Sequence, residues 1–173
     1  MPETVAVQEL GRVISFSFDD LIRYHGPGSP AGVAVSFKAL QRAIGLLSPD
    51  QAPQRRAISV RTAFRGPGAR DGFEAVTRAV SDGRYTVDRA LLRPDRGRLL
   101  EDFVFEVDVD GSRVMLVLRD GYVTEEFIGL ARTPDRTADQ EARLGELKLQ
   151  LAQALLAAPA DDVFDIVAGP DTR

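Results

Sequence analysis

From Ser17 onward the hydrophobic positions fall into two rhythms, one with helical spacing and one that alternates. Ser17 followed by Asp20 has the form of a capping box, in which hydroxyl and carboxylate satisfy orphan amides of a first turn. It predicts a short helix from Phe18 to about Tyr24, ended by Gly26-Pro27. Beyond the loop YHGPGSPAG, Tyr24 to Gly32, the residues Val33, Phe37, Leu40, Ile44 and Leu47 recur at helical spacing and predict a helix from about Pro30 to Leu47. Pro30 suits its first turn. AISVRTAF, Ala57 to Phe64, alternates with β-branched residues and predicts a strand. A second loop, RGPGARDG from Arg65 to Gly72, leads into a predicted helix over about Asp71 to Val80, with Phe73, Val76, Thr77 and Val80 on one face.

YTVDRALL, EDFVFEVDVDG and SRVMLVLRD predict three further strands in an antiparallel meander, the last two joined at Asp110-Gly111, a dipeptide favoured in tight hairpin turns. A helix from about Thr124 to Arg132 and the polar linker TPDRTAD follow. Next comes a long amphipathic helix over about Ala138 to Ala158, with Leu144, Leu147, Leu151 and Leu155 in one stripe. A short tail, Phe164 to Val167, closes the pattern. Helices first, then strand, helix and three strands is an α+β order, with the helices expected on one face of a small mixed sheet. No internal boundary interrupts it, so residues 1–173 read as a single domain.

Composition narrows the chemistry. With 173 residues, 44% apolar and 28% charged, the chain has the usage of a globular protein with room for a core. The absence of cysteine excludes disulfides, thiolate metal sites and a cysteine nucleophile. A net charge of −4 disfavours a general nucleic-acid surface, because such binding rests on neutralising phosphates. No apolar run reaches the length of a membrane helix, and MPETVAVQELG lacks the basic and apolar regions of a signal peptide; a cytoplasmic protein without membrane contact is expected. Among the basic residues only Lys38 and Lys148 are lysine.

Both glycine-proline loops deliver the chain to a helix start, where free amides and the positive end of the dipole favour anions, and Arg65 and Arg70 flank the second loop. The competing reading is a plain tight turn, since neither loop has the GxxxxGK or GxGxxG phosphate spacing. His25, the only histidine, has three readings: capping or packing at a helix end, acid–base or ligand work with a carboxylate (Asp19, Asp20 or Asp71), or metal ligation. Ser29 does not suit a nucleophile elbow, which needs GxSxG between strand and helix. The pairs Asp19-Asp20, Glu125-Glu126 and Asp161-Asp162 read as charges at helix starts. The leucine stripe reads as core, with length to spare for a dimer contact.

The order of these features resembles the FmdE, or FwdE, family associated with formylmethanofuran dehydrogenase. That family has a short helix running into a loop HGHxCPG and then a helix, and YHGPGSPAG keeps His25, Gly26 and Pro30 in register. GPGARDGFEAVTRAV is similar to the family's cysteine-containing turn ahead of a DAIQ helix, with Asp71 on the matching aspartate. The later strands are similar in order and length, so the resemblance covers roughly residues 18–132. It implies an α+β fold with a small mixed, largely antiparallel four-stranded sheet, helices on one face, and a homodimer. The helix over 138–158 would be a C-terminal extension in place of the zinc-binding module of longer members. The family's second histidine falls on Pro27, its first cysteine on Ser29, its turn cysteine near Gly68 or Ala69, and its GKG lysine has no counterpart around Asp88-Arg89. Proline and glycine side chains offer no ligand atom and serine is a poor substitute for thiolate, so no metal and no cofactor are expected.

Three functions follow as expectations. One is a metal-free accessory protein that holds a small polar or anionic ligand between the two loops, through His25, Gly26, Gly28, Ser29, Arg65, Gly66, Gly68 and Arg70. Another is an enzyme with His25 as general acid or base, oriented by Asp71 or Asp20. The third is a structural component or homodimer with a vestigial site.

Overall fold

The computed structural model describes residues 3–172. Its helices are α1 (Phe18–His25), α2 (Pro30–Leu47), α3 (Pro67–Thr77), α4 (Glu125–Ala131), α5 (Ala138–Ala157) and α6 (Ala160–Val163). Its strands are β1 (Thr4–Glu9), β2 (Arg12–Ser17), β3 (Ile58–Thr62), β4 (Tyr85–Val87), β5 (Val104–Val109), β6 (Ser112–Leu118) and β7 (Phe164–Thr172).

Strands, not helices, come first. β1 and β2 form an antiparallel hairpin in which Glu9 faces Arg12 across Leu10-Gly11. Both turn residues have positive φ, 51° and 77°. Asn-Gly or Asp-Gly would have announced such a turn; leucine in its first position does not. The hairpin buries Val5 and Val7 and is clamped to α2 by Lys38, a fully buried ammonium that donates to Glu3 Oε2 at 2.8 Å and to the Ala158 carbonyl at 2.7 Å. The Lys38 hydrogen bond holds the Glu3 carboxyl below the ordinary carboxylate range.

The main sheet has five strands in the order β4-β3-β5-β6-β7, not four, and it is mixed. β5 and β6 form the expected hairpin, turning at Asp110 (φ 52°) and Gly111 (φ 88°). β7 pairs antiparallel with β6, so the segment expected as a tail is an edge strand. The long helix over 138–157 therefore does not end the fold. YTVDRALL is no member of a meander: only Tyr85–Val87 is strand, and it lies parallel to β3, with α3 as the crossover such a pair requires. Asp88 stops it by accepting the Ala90 N–H at 2.9 Å and capping a single 3₁₀ turn.

Period-two alternation sorts the sheet faces. Ile58, Val60, Phe105, Val107, Val114 and Leu116 are buried on the face that α2 and α3 cover. The opposite face carries a cross-strand charge ladder, with Glu106 3.5 Å from Arg61 and 3.8 Å from Arg113.

α1 is built as expected, with the Ser17 and Asp20 capping box closed by bonds of 3.2 and 2.9 Å. α3 is shifted: it starts at Pro67 rather than Asp71, so most of the second glycine-proline loop is helix. Gly68 and Gly72 lie one turn apart on the face that meets α2. A Cβ on Gly68 would stand 2.6 Å from the Ser29 carbonyl oxygen, one on Gly32 would stand 3.0 Å from the Ala69 nitrogen, and one on Gly72 would collide with the Ser36 hydroxyl. These glycines let two helices touch along their backbones.

Candidate functional site

The loop Gly26 to Ser29 joins α1 to α2, and it is fastened at two points. At its start, His25 Nδ1 donates to Asp71 Oδ2 at 2.8 Å, bridging the last residue of α1 to the second turn of α3. An ionised carboxylate only accepts, so Nδ1 carries the proton and a neutral ring keeps Nε2 as acceptor. The pair is enclosed: side-chain exposures are 9% for His25 and 24% for Asp71. Arg70 Nε donates to the other Asp71 oxygen at 3.2 Å. Near these charges sits the Tyr85 hydroxyl, buried and without a hydrogen-bond partner among the described residues. Burial pushes it up to about 12, with the Arg70 cation opposing and the Asp71 carboxylate adding to the shift.

The second fastening is Lys148 of α5, whose Nζ donates to the Gly28 carbonyl at 3.1 Å. On this side the loop borders a cleft of about 300 Å³. One wall is made by the starts of two helices, Ser29, Ala31 and Gly32 of α2 and Gly66, Pro67 and Gly68 of α3. Neither N-cap residue, Ser29 or Gly66, supplies a side-chain cap. The remaining walls are mostly apolar: Phe64, Leu99, Phe103, Phe127, Ile128 and Ala131. Phe64 stacks on Phe103 with centroids 4.7 Å apart and an interplanar angle of 30°. Three charged residues complete the lining, Asp102, Arg132 and Lys148. Asp102 lies at ion-pair distance, 3.3 Å, from Arg89 but its buried Oδ1 has no hydrogen-bond partner among the described residues, and Arg132 lies 4.0 Å from Glu101 while donating to the Arg98 carbonyl. Lys148 has no carboxylate within ion-pair distance among the described residues.

The structure thus divides the residues singled out from sequence. His25 and Asp71 do meet, as the acid–base reading requires, but neither lines the cleft. Ser29, Gly66 and Gly68 line it, and Gly28 contributes the carbonyl that Lys148 holds. Gly26, Arg65 and Arg70 do not line it, and Asp20 is engaged in its own capping box. The apolar wall and Lys148 had no signal in the sequence beyond the rarity of lysine. A larger groove of about 650 Å³ runs past Phe16, Asp20, Tyr24, Arg55 and Glu74, but its charges serve the fold. Arg55 donates to the Val76 and Ala75 carbonyls at the end of α3, and Glu74 accepts from Ser81 and lies 3.3 Å from Arg78.

The positions that a metal in the resembled family would use do not fit one here. His25 commits Nδ1 to Asp71, Pro27 and Gly68 carry no donor atom, and among the described residues no three His, Asp or Glu side chains gather as a ligand set. No helix among the described residues is long and apolar enough to cross a membrane. No protein-family model matches this chain, and no curated protein matches it.

Proposed function

We propose that this protein is a metal-free accessory protein of the FmdE type that binds a small molecule in the cleft between its two glycine-proline helix starts. The cleft itself is the observation that carries this reading: about 300 Å³, walled by aromatic and aliphatic side chains, with a few converging polar groups. That is the composition of ligand pockets, at the lower end of their range of roughly 300–1,000 Å³. The family assignment rests on the order of the motifs and on His25, Gly26, Pro30 and Asp71, supported by the contact between His25 and Asp71. The test is to block the space. Leu99→Trp and Ala131→Trp each add an indole to the cleft wall, and both are expected to remove the thermal shift that small aromatic probes produce in the wild type. Retention of that shift in both folded variants rejects the cleft as the site.

A second reading is favoured by one contact. The bond from His25 Nδ1 to Asp71 leaves Nε2 without a hydrogen-bond partner among the described residues, the arrangement of an oriented general base. If His25 works in this way, His25→Ala abolishes turnover of a substrate that still binds.

A further inference from the structure

We infer that the ligand of this cleft is a small planar aromatic monocarboxylate, and that Lys148 recognises its charged end by leaving the Gly28 carbonyl. The inference rests on the cleft being the binding site. The chain is mildly acidic, and most of its cations bordering this region answer a carboxylate: Arg89 answers Asp102 at 3.3 Å, and Arg132 faces Glu101 at 4.0 Å. Lys148 answers none among the described residues. Its ammonium lines a mostly apolar cleft and makes one hydrogen bond, to a carbonyl oxygen at 3.1 Å. A backbone carbonyl is a neutral acceptor, and a carboxylate is a stronger one for an ammonium. A carboxylate entering the cleft would therefore take Nζ from Gly28.

The number of charges and the shape of the body follow from the same wall. Asp102 is a cleft-lining carboxylate whose buried Oδ1 makes no hydrogen bond among the described residues and lies 3.3 Å from Arg89, so a second negative charge on the ligand would face a like charge. One anionic group is what the site balances. Phe64 and Phe103, stacked 4.7 Å apart, present an aromatic surface, and Phe127 lines the same space. Aromatic surfaces favour a flat unsaturated body through offset or edge contacts. A volume of about 300 Å³, at the lower end of ligand-pocket sizes, suits a small ligand such as one ring with a short arm.

The probes are phenylacetate and its neutral isostere phenylacetamide, measured by calorimetry on the wild type, Lys148→Met, Lys148→Arg and Leu99→Trp. In the wild type the carboxylate is expected to bind about tenfold more tightly than the amide, the size of one charge-assisted hydrogen bond. Lys148→Met should erase that preference while keeping amide binding, and Lys148→Arg should restore most of it. Equal affinity of the two probes in the wild type, or a preference that survives Lys148→Met, overturns the role of Lys148 while leaving the cleft in place. Absence of binding by either probe, or undiminished binding in Leu99→Trp, overturns the cleft and this inference together.

Discussion

The two ends of the loop from Gly26 to Ser29 are built in opposite ways. At the His25 end charged and polar side chains meet one another: imidazole on Asp71, Arg70 on the same carboxylate, and Gly72 against the Ser36 hydroxyl with no room for a methyl group. At the Ser29 end, where the starts of α2 and α3 touch backbone to backbone, an open, mostly apolar space lies beside them, bordered by a lysine whose partner is a carbonyl. His25 and Asp71 tie two helices together, whereas the space is walled mostly by apolar side chains with Lys148 at its edge. Chemical singularity, here the lone histidine, marks the anchor of the loop.

The contrast can be broken most strongly at the glycines. Gly68→Val would drive side-chain carbons into the Ser29 carbonyl and separate α2 from α3; a loss of about 3 kcal/mol is expected, the upper part of the usual overpacking range, read from urea unfolding. A wild-type midpoint would mean the helices do not depend on that contact. His25→Ala should cost less, about 1 kcal/mol, because Asp71 keeps Arg70 as a partner at 3.2 Å and is not left uncompensated. Its effect on phenylacetate binding should be small, since His25 does not line the cleft.

The smallest effect concerns Tyr85. Its folded value of about 12 lies above the ordinary tyrosine value, so its contribution to stability is full below about pH 10 and is lost as pH rises through its folded value. Tyr85→Phe should remove a late step from the tyrosinate absorbance titration and flatten the alkaline decline in stability. An unchanged titration would show that this hydroxyl is not buried beside Asp71.

Much of the helical skeleton is legible in the sequence because caps and periodicity are local. Ser17 with Asp20 closes its box, Pro30 opens α2, and Asp110-Gly111 turns the main hairpin. What escaped depends on distant partners. Leu10-Gly11 turns the first hairpin without the usual residues, Asp88 ends a strand that looked longer, and β4 joins β3 in parallel because α3 carries it there. The same division runs through the site. Asp71 beside His25 follows from the order of two motifs, whereas Phe64, Phe103, Phe127 and Lys148 come from four separate segments. Only the fold assembles them.

One measurement tests the central claim directly, because the chain has a single histidine and therefore a single imidazole Cε1 proton signal. The protein is titrated with phenylacetate while that resonance and the backbone amides of Gly32 and Gly68 are followed by NMR. The account predicts that the two glycine amides, which line the cleft, shift in a saturable manner while the His25 signal stays in place. A His25 signal that shifts with saturation while both glycine amides remain unmoved would contradict it and return the site to the histidine.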